Sequence, residues 1–398
     1  MKTIMVLSLL GAMLSLAPSA TAQGSRSLIT GFELGSLGEG TAFGNAGSVQ
    51  SAIVRSGSFA YRANPVYSSQ RITFTSRAVG GGLRQAFKSS RLYLYVAQLP
   101  LNGSVSIVKL GGASTYNPEV DLNWDGTLIL ADSWSPVLAH SQKALKPDGL
   151  WHRVEFDVGT GLRVYVDGEL WASGGTMSYP AAIAISFGAG ESPTFVNGTT
   201  DLYFDDIVVD AGSFADSGLP GDGHAILLRS ASDPVNLNSW TNGAGASSSL
   251  WLPVRNVPAA GKAAGAATNM SQIKNTSPGS NQDYKPTLQT YLDAGIPAGA
   301  TVNAVMAISN DGQATTKGKT KAGLLWIDQN PSQGPGNAFD FGDANGVIAA
   351  NPAGWASHYG PVTSHPAVNL ATAPIVAVRK SSGTDVDVDF LGVYVDYK

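Results

Sequence analysis

The sequence predicts an all-β protein built from two β-sandwich domains. Apolar and polar residues alternate with a period of two in many short segments, which is typical of half-buried antiparallel strands. Glycine accounts for 47 of the 398 residues and charged residues for only 14%, a composition that favours a chain with many turns. The helical pattern at 286–294 is long enough for one or two turns only. The fold class therefore follows from periodicity and composition together.

Residues 1–22 have the pattern of a signal peptide. Lys2 supplies the positive charge, Met5 to Leu16 form an apolar run, and Ala20 and Ala22 form a small-residue cleavage site. The apolar run is too short to span a bilayer as a helix. We therefore expect a secreted, extracellular protein with no transmembrane segment.

Composition excludes several function classes. The chain contains no cysteine, which rules out disulfide scaffolds, cysteine nucleophiles and cysteine-ligated metals. Its formal net charge is −4, and its Lys and Arg residues do not cluster in one segment. A nucleic-acid partner is therefore not expected. A core of apolar residues, with or without a bound metal ion, must hold the fold together.

The first predicted domain spans residues 27–210. Segments 91–96, 152–158 and 162–166 alternate strictly and predict strands. Asp167-Gly168 follows the last of these, and an Asp-Gly pair between two strand segments is a strong signal for a tight hairpin turn. Strands at this spacing predict a sandwich or jelly roll.

Residues 211–223 predict a linker, because they combine small residues, Gly and Pro without periodicity. The second predicted domain, 224–398, contains further β-type segments such as 324–327 and 375–378. Its long Ala-, Gly- and Ser-rich stretches predict a loop-rich sandwich.

Four motifs in the first domain occur in the order of a known fold family. They are Asp125-Gly126-Thr127-Leu128, Trp151-His152-Arg153-Val154-Glu155, Val164-Tyr165-Val166-Asp167-Gly168 and Phe204-Asp205-Asp206-Ile207-Val208. In this order they resemble the laminin-G/concanavalin A-like jelly roll over roughly residues 27–210. The second half resembles, more faintly, β-sandwich modules of phage tails and other virion surfaces.

The resemblance implies a sandwich that binds glycans or protein partners. It also raises the possibility of a glycosidase, because glucanases of this architecture carry an E-x-D-x-(x)-E strand with two catalytic glutamates. The nearest match here begins with Glu119 and Asp121, but Asn123 replaces the second glutamate. A retaining glycosidase needs two carboxyl groups, so we expect no enzyme activity.

A structural calcium ion is a further expectation. Glu33 on the first strand and Asp205 and Asp206 on the last could be neighbours, since a jelly roll brings its ends together. Carboxylate oxygens suit calcium, and the resemblance implies a metal at this place. The alternative is that these side chains are solvated carboxylates at strand ends. A second calcium pattern at 121–132 is better interpreted as a hairpin with Asp125-Gly126 at its turn.

Aromatic side chains on one predicted strand face are the candidate ligand-binding residues. Exposed rings stack on the apolar faces of sugars, and such sites need few polar anchors. We interpret Trp151 as structural. The candidates are Tyr93, Tyr95, Trp124 and Trp134.

The sequence therefore predicts a secreted, non-catalytic recognition protein that binds a polysaccharide or cell-surface glycan. One alternative is a structural or virion-type surface or fibre protein, which would form homo-oligomers. The second alternative is a glucanase-like glycoside hydrolase, disfavoured by Asn123.

Overall fold

The computed structural model describes most of the chain from Arg26 to Lys398. The described residues are 26–35, 37–44, 47–66, 69–75, 78–79, 83–84, 87–111, 117–132, 137–178, 182–190, 199–213, 219–234, 240–242, 249–251, 255, 273–275, 283–312, 321–328, 339–340, 355–364, 369–383, 386–388 and 390–398. They are dominated by antiparallel strands in several sheets, which confirms the predicted all-β sandwich class. The signal-peptide prediction for 1–22 lies outside them.

The part of the chain before residue 211 contains seventeen of the strands that the structure describes. A 3-10 turn at Leu37–Glu39 follows the first of them. The strands are β1 (Arg26–Thr30), β2 (Thr41–Gly44), β3 (Ser48–Gln50), β4 (Ala60–Ala63), β5 (Gln70–Thr75), β6 (Ala78–Val79), β7 (Leu83–Arg84), β8 (Ser89–Gln98), β9 (Ser104–Gly111), β10 (Glu119–Asn123), β11 (Thr127–Ala131), β12 (Ala139–Ala144), β13 (Trp151–Asp157), β14 (Thr160–Val166), β15 (Glu169–Ser178), β16 (Ala184–Gly190) and β17 (Asp201–Asp210).

The strands described beyond residue 223 continue the numbering. They are β18 (His224–Ser232), β19 (Thr241–Asn242), β20 (Ile273–Asn275), β21 (Asp283–Tyr284), β22 (Thr287–Leu288), β23 (Val302–Gly312), β24 (Lys321–Asp328), β25 (Phe339–Asp340), β26 (Trp355–Ser364), β27 (Ile375–Gly383), β28 (Val386–Val388) and β29 (Phe390–Tyr397).

Two antiparallel sheets contribute to one apolar core in the first half. The first sheet has the order β15-β14-β13-β8-β17-β4-β3, with β1 added to β17, and the second has the order β12-β11-β10-β9-β16-β5-β2. Alternate residues of β8, such as Leu92 and Leu94, meet Val120 and Leu122 of β10 in the same buried cluster. The period-two pattern therefore separates a core face from an outer face, as the sequence predicts.

The hairpin between β14 and β15 has the predicted tight turn. Asp167 and Gly168 both have positive φ, at 52° and 86°, which is what a type I′ turn requires. At the β10–β11 hairpin, Gly126 N donates to Asn123 O at 2.9 Å. Asp125 Oδ1 accepts a hydrogen bond from Thr127 N at 2.9 Å, so this carboxylate supports the turn.

Strand β29 is buried on both sides. Phe390 and Tyr394 belong to the apolar cluster of the first two sheets, whereas Leu391, Val393 and Val395 pack in a second cluster beyond them. Each apolar side chain that is fully buried contributes about 1.5–3 kcal/mol to folding. The two predicted domains thus share a core, and the boundaries 27–210, 211–223 and 224–398 stay a prediction.

Buried ion pairs join the two halves of the chain where β29 meets β8 and β1. We call this region, together with segment 219–223 that precedes β18, the junction. Asp396 of β29 contacts Arg91 of β8 at 3.0 Å and Arg26 of β1 at 3.1 Å. Arg26 also pairs with Asp210 at the end of β17. All four side chains are almost completely buried, so each charge depends on its partners rather than on water.

Among the described residues, no helix is long and apolar enough to cross a membrane.

Candidate functional site

Tyr93 and Tyr95 both lie on the outer face of the first sheet. They alternate along β8 with Leu92, Leu94 and Val96, which belong to the core. The predicted common face of the two tyrosines is therefore present. Their surroundings nevertheless differ, because the chain covers one of them.

Tyr93 does not present its ring to solvent, which corrects the expectation that it is an exposed ligand-binding side chain. It is 4% exposed. The guanidinium of Arg55 lies 3.3 Å from the centre of its ring, and its hydroxyl donates to Asp222. Burial raises the pKa of Tyr93 to about 12. The segment 219–223, part of the predicted linker, crosses over this position, and periodicity in β8 carries no information about that crossing.

Tyr95 belongs to a group of three rings, two of which are partly exposed. Its ring centre lies 5.6 Å from that of Trp151 and 5.7 Å from that of Tyr203, with interplanar angles of 55° and 89°. The three residues stand side by side on β13, β8 and β17, since Tyr95 pairs with both neighbours in register. Trp151 and Tyr95 are partly exposed and Tyr203 is buried. We call these three residues the aromatic cluster.

An ion pair borders the aromatic cluster on the side of β4. Arg62 Nε and Nη2 donate to Asp201 Oδ1 and Oδ2, both at 2.8 Å. The Arg62 guanidinium also lies 5.5 Å from the ring centre of Tyr203. Two parallel hydrogen bonds fix the orientation of both side chains. The pair therefore presents a defined polar edge beside the rings.

Arg153 and Glu155, which follow Trp151 on the same face of β13, are paired as well. Arg153 Nε contacts Glu155 Oε2 at 3.1 Å, and Glu155 Oε1 accepts a hydrogen bond from Gly221 N at 2.9 Å. Arg62 and Arg153 on this face therefore each have a carboxylate partner.

Trp124 is exposed at one end of the sandwich. It is 58% exposed at the β10–β11 turn, and Leu101 and Leu150 are each 60% exposed. Trp124 N donates to Gly103 O at 2.8 Å, which joins this turn to the β8–β9 loop. Leu150 directly precedes Trp151 of the aromatic cluster. We call this end of the sandwich the open end; Trp134 lies outside the described residues.

Glu33, Asp205 and Asp206 lie around one loop, 55–59. Glu33 accepts hydrogen bonds from Ser58 N and Phe59 N, with 2.9 Å as the shortest distance. Asp205 Oδ2 accepts from Arg55 N at 2.9 Å. Glu33 lies beyond the end of β1, not on the first strand as predicted, and it shares loop 55–59 with Asp205 of β17.

Asp206 occupies a β-bulge in β17. Its φ is 49°, a value that Asp tolerates better than most residues, and the register with β8 shifts between Asp205 and Val208. Its carboxylate contacts Arg55 Nη1 at 2.5 Å, Ser56 Oγ at 2.5 Å and Ala225 N. The bulge thus directs this side chain toward the junction.

The electrostatic environments of the two aspartates are opposite. Burial, with the neighbouring Asp206 charge, raises the pKa of Asp205. Burial also opposes ionisation of Asp206, but hydrogen bonding to His224 and the charge of Arg55 outweigh it and lower its pKa. Arg55 therefore compensates the Asp206 charge.

The three carboxylates at the predicted calcium site already have protein partners. The carboxylates of Glu33, Asp205 and Asp206 accept N–H and O–H donors of the loop or pair with Arg55, whereas calcium needs six to eight converging oxygens. Within the described part of the chain, no group of three or more His, Asp or Glu residues could hold a metal. Calcium here stays a prediction from residue types, and a drop in melting temperature on adding chelator would support it.

The glucanase-like pattern lies on the outer face of the second sheet. Glu119 and Asp121 are buried there, while Val120 and Leu122 point into the core. Glu119 pairs with Lys109 at 2.9 Å, and burial raises the pKa of Glu119. Asn123 Nδ2 contacts Asp125 at 3.1 Å, so the amide that replaces the second glutamate supports the turn.

Sequence reasoning missed three members of the candidate site. The sequence pattern favours a structural role for Trp151 and gives no reason to single out Tyr203 or Arg62. Trp151 and Tyr203 alternate with core residues along their strands, as Tyr95 does. This alternation is the sequence signal that could have placed them on the outer face. The pairing of β4 with β17, which brings Arg62 beside Tyr203, has no local sequence signature.

No protein-family model matches this sequence, and no curated protein matches it either.

Several solved structures share limited likeness with the chain. A cellulose-induced protein, Cip1, is 14% identical with a TM-score of 0.33, over 44% of this chain and 87% of that one. The carbohydrate-binding module CBM66 from Bacillus subtilis is 9% identical with a TM-score of 0.27, over 40% and 89%. A Trypanosoma rangeli sialidase in complex with sialic acid is 13% identical with a TM-score of 0.32, over 42% of this chain and only 27% of the sialidase. At these TM-scores the likenesses assign no function to this chain.

Proposed function

We propose that this protein is a secreted, non-catalytic recognition protein that binds a polysaccharide or cell-surface glycan through the aromatic cluster. The observation that carries the proposal is the group formed by the partly exposed rings of Trp151 and Tyr95 and the buried ring of Tyr203, beside the Arg62–Asp201 pair. Export is supported by the signal-peptide pattern at 1–22.

The chemistry of the cluster suits a sugar. The partly exposed rings supply apolar surface to the C–H faces of a pyranose, and the Tyr95 hydroxyl and the ion pair supply hydrogen bonds. The rings contact one another through edges and tilted faces, so little side-chain freedom is lost when a ligand binds. A shallow site of this kind gives modest affinity, which repeated contacts along a polymer raise.

The open end extends the proposed contact surface. Trp124, Leu101 and Leu150 lie at the same end of the sandwich as the start of β13. They are peripheral in the proposal, because no ring contact in the described residues joins Trp124 to the aromatic cluster.

The fold family of the first half is part of the proposal. The two antiparallel sheets and the Asp167-Gly168 hairpin fit a laminin-G/concanavalin A-like jelly roll, which the motif order in residues 27–210 supports. Absence of catalysis rests on Asn123, since two carboxyl groups are needed for the expected hydrolysis.

Affinity gel electrophoresis of the purified protein in a panel of soluble polysaccharides tests the proposal. We expect retardation by at least one polysaccharide and a loss of most of it in Trp151→Ala. Trp171→Ala is the matched control, because Trp171 is a partly buried tryptophan of the same sheet that packs against the core. Equal losses in both variants, or no retardation by any polysaccharide, would contradict the proposal.

A further inference from the structure

We infer that the aromatic cluster selects neutral polysaccharides with adjacent free hydroxyls and discriminates against anionic ones. This inference rests on the proposed function and adds the class of ligand. It follows from the way in which the charges around the cluster are paired.

The polar edge of the site is an ion pair without net charge. Arg62 and Asp201 form a bidentate pair with both contacts at 2.8 Å. Their side chains are 36% and 20% exposed, so a ligand on the rings can reach both. The pair carries no net charge.

The Arg62–Asp201 pair keeps free donors and acceptors for a ligand. A guanidinium has five N–H donors and a carboxylate about four acceptor positions, and the pair uses two of each. The rest can accept from one sugar hydroxyl and donate to the next. A neutral sugar with hydroxyls on neighbouring carbons therefore satisfies both members without breaking the pair.

The arginines near the cluster are poorly placed to bind an anionic sugar, because each already has a carboxylate partner. Recognition of a carboxylate or sulfate normally uses an Arg or Lys free to bind it bidentately. Here Arg62 forms an ion pair with Asp201, and Arg153, two residues after Trp151 on β13, forms one with Glu155. An anionic group would meet the Asp201 carboxylate, and like charges in this position lower affinity.

Matched polymers test this selectivity on the full chain. Hydroxyethyl cellulose, laminarin and galactomannan are compared with their carboxymethylated forms in affinity gels at low salt. We expect at least one neutral polymer to retard the protein roughly threefold more strongly than its charged form, since a weak surface charge effect has about this size. Stronger retardation by the carboxymethylated forms would overturn the inference and leave the proposed function standing. No retardation by any polymer would overturn both.

Asp201→Asn tests the cause of the selectivity. This variant frees the Arg62 charge, so binding to the neutral polymer should weaken while binding to the carboxymethylated polymer should rise and disappear with added salt. Glu169→Gln is the matched control, because it changes net charge equally and frees Lys143 in an exposed ion pair. The same gain in both variants, or no gain in Asp201→Asn with an unchanged melting temperature, would contradict the role of the pair.

Discussion

Tyr93 and Tyr95 lie two residues apart on the same face of β8, and the comparison between them separates the junction from the candidate site. Tyr93 is covered by segment 219–223 and held between Arg55 and Asp222. Tyr95 is half-exposed beside Trp151 and Tyr203. The outer face of β8 therefore has two different environments. Charged groups surround Tyr93 at the junction, and aromatic rings surround Tyr95 toward the open end. The strand pattern places both rings, and contacts distant in sequence decide their roles.

The largest effect is expected at the junction. Asp396→Asn leaves the buried Arg91 without its ion-pair partner and removes one of two partners of Arg26. Removing one member of a buried ion pair costs about 3–5 kcal/mol, so the free energy of unfolding should fall by this amount. Denaturant titration measures it. Glu169→Gln at the exposed Lys143 pair is the control, and a loss no larger than that of the control would contradict the structural role of the junction.

A second effect concerns the pH dependence of stability. Burial raises the pKa of Glu33 from 4.5 to about 7 and also raises that of Glu39. A raised pKa in the folded state means that the folded protein binds the proton more tightly than the unfolded chain. The contribution is fully present below pH 4.5 and is lost as pH rises through about 7. For Glu33 alone it amounts to about 3 kcal/mol.

Melting curves between pH 5 and pH 8 measure this effect. We expect the melting temperature to fall across this range and the fall to be smaller in Glu33→Gln, which lacks the titrating group. Lowering of the Asp206 pKa acts in the opposite direction, but its window lies below the measured range. Parallel curves for the wild-type protein and the variant would show that Glu33 does not titrate in this way.

A third effect concerns ligand affinity at the aromatic cluster. Trp151→Ala removes a partly exposed ring whose centre lies 5.6 Å from the ring centre of Tyr95. Truncation of an aromatic residue at the centre of a binding site often costs more than 1 kcal/mol, and a cost of about 1.4 kcal/mol corresponds to a tenfold loss in affinity. Isothermal titration with the polysaccharide selected in affinity gels measures the loss. Affinity within a factor of two of the wild type would place the ligand elsewhere.

The smallest effect is expected at the open end. Trp124→Ala removes an exposed ring outside the aromatic cluster, so affinity should change by less than about threefold, or about 0.6 kcal/mol. The melting temperature should not change, because the turn is held by Gly126, Asn123 and Asp125. A loss as large as that of Trp151→Ala would move the centre of the site to the open end.

The fold class and the local turns could be predicted from the sequence because their causes are local. Period-two alternation fixes which residues of β8 face the core, and Asp167-Gly168 fixes its hairpin through two positive φ angles. The sequence does not predict that Glu33 and Asp205 both bind loop 55–59, because Glu33 lies beyond the end of β1 and the loop has no local pattern.

The remaining features depend on contacts that local patterns do not encode. The burial of Tyr93 arises from a crossing segment more than a hundred residues away, and its contact with Asp222 spans 129 residues. The pairing of Asp396 with Arg91 spans 305 residues. The shared core likewise depends on β29, whose two faces contact different clusters. Strand pairing and packing over such separations decide which predicted residues are accessible.

The most direct test compares Trp151→Ala with Tyr93→Phe in the same two measurements, polysaccharide affinity and melting temperature. Tyr93→Phe removes only the hydroxyl that contacts Asp222 and Gly223 at the junction. The account predicts that Trp151→Ala loses affinity roughly tenfold, while Tyr93→Phe keeps its affinity and melts at a lower temperature. If Tyr93→Phe lost affinity as strongly as Trp151→Ala, or if Trp151→Ala bound as the wild type does, the division between a structural junction and a carbohydrate-binding aromatic cluster would be wrong.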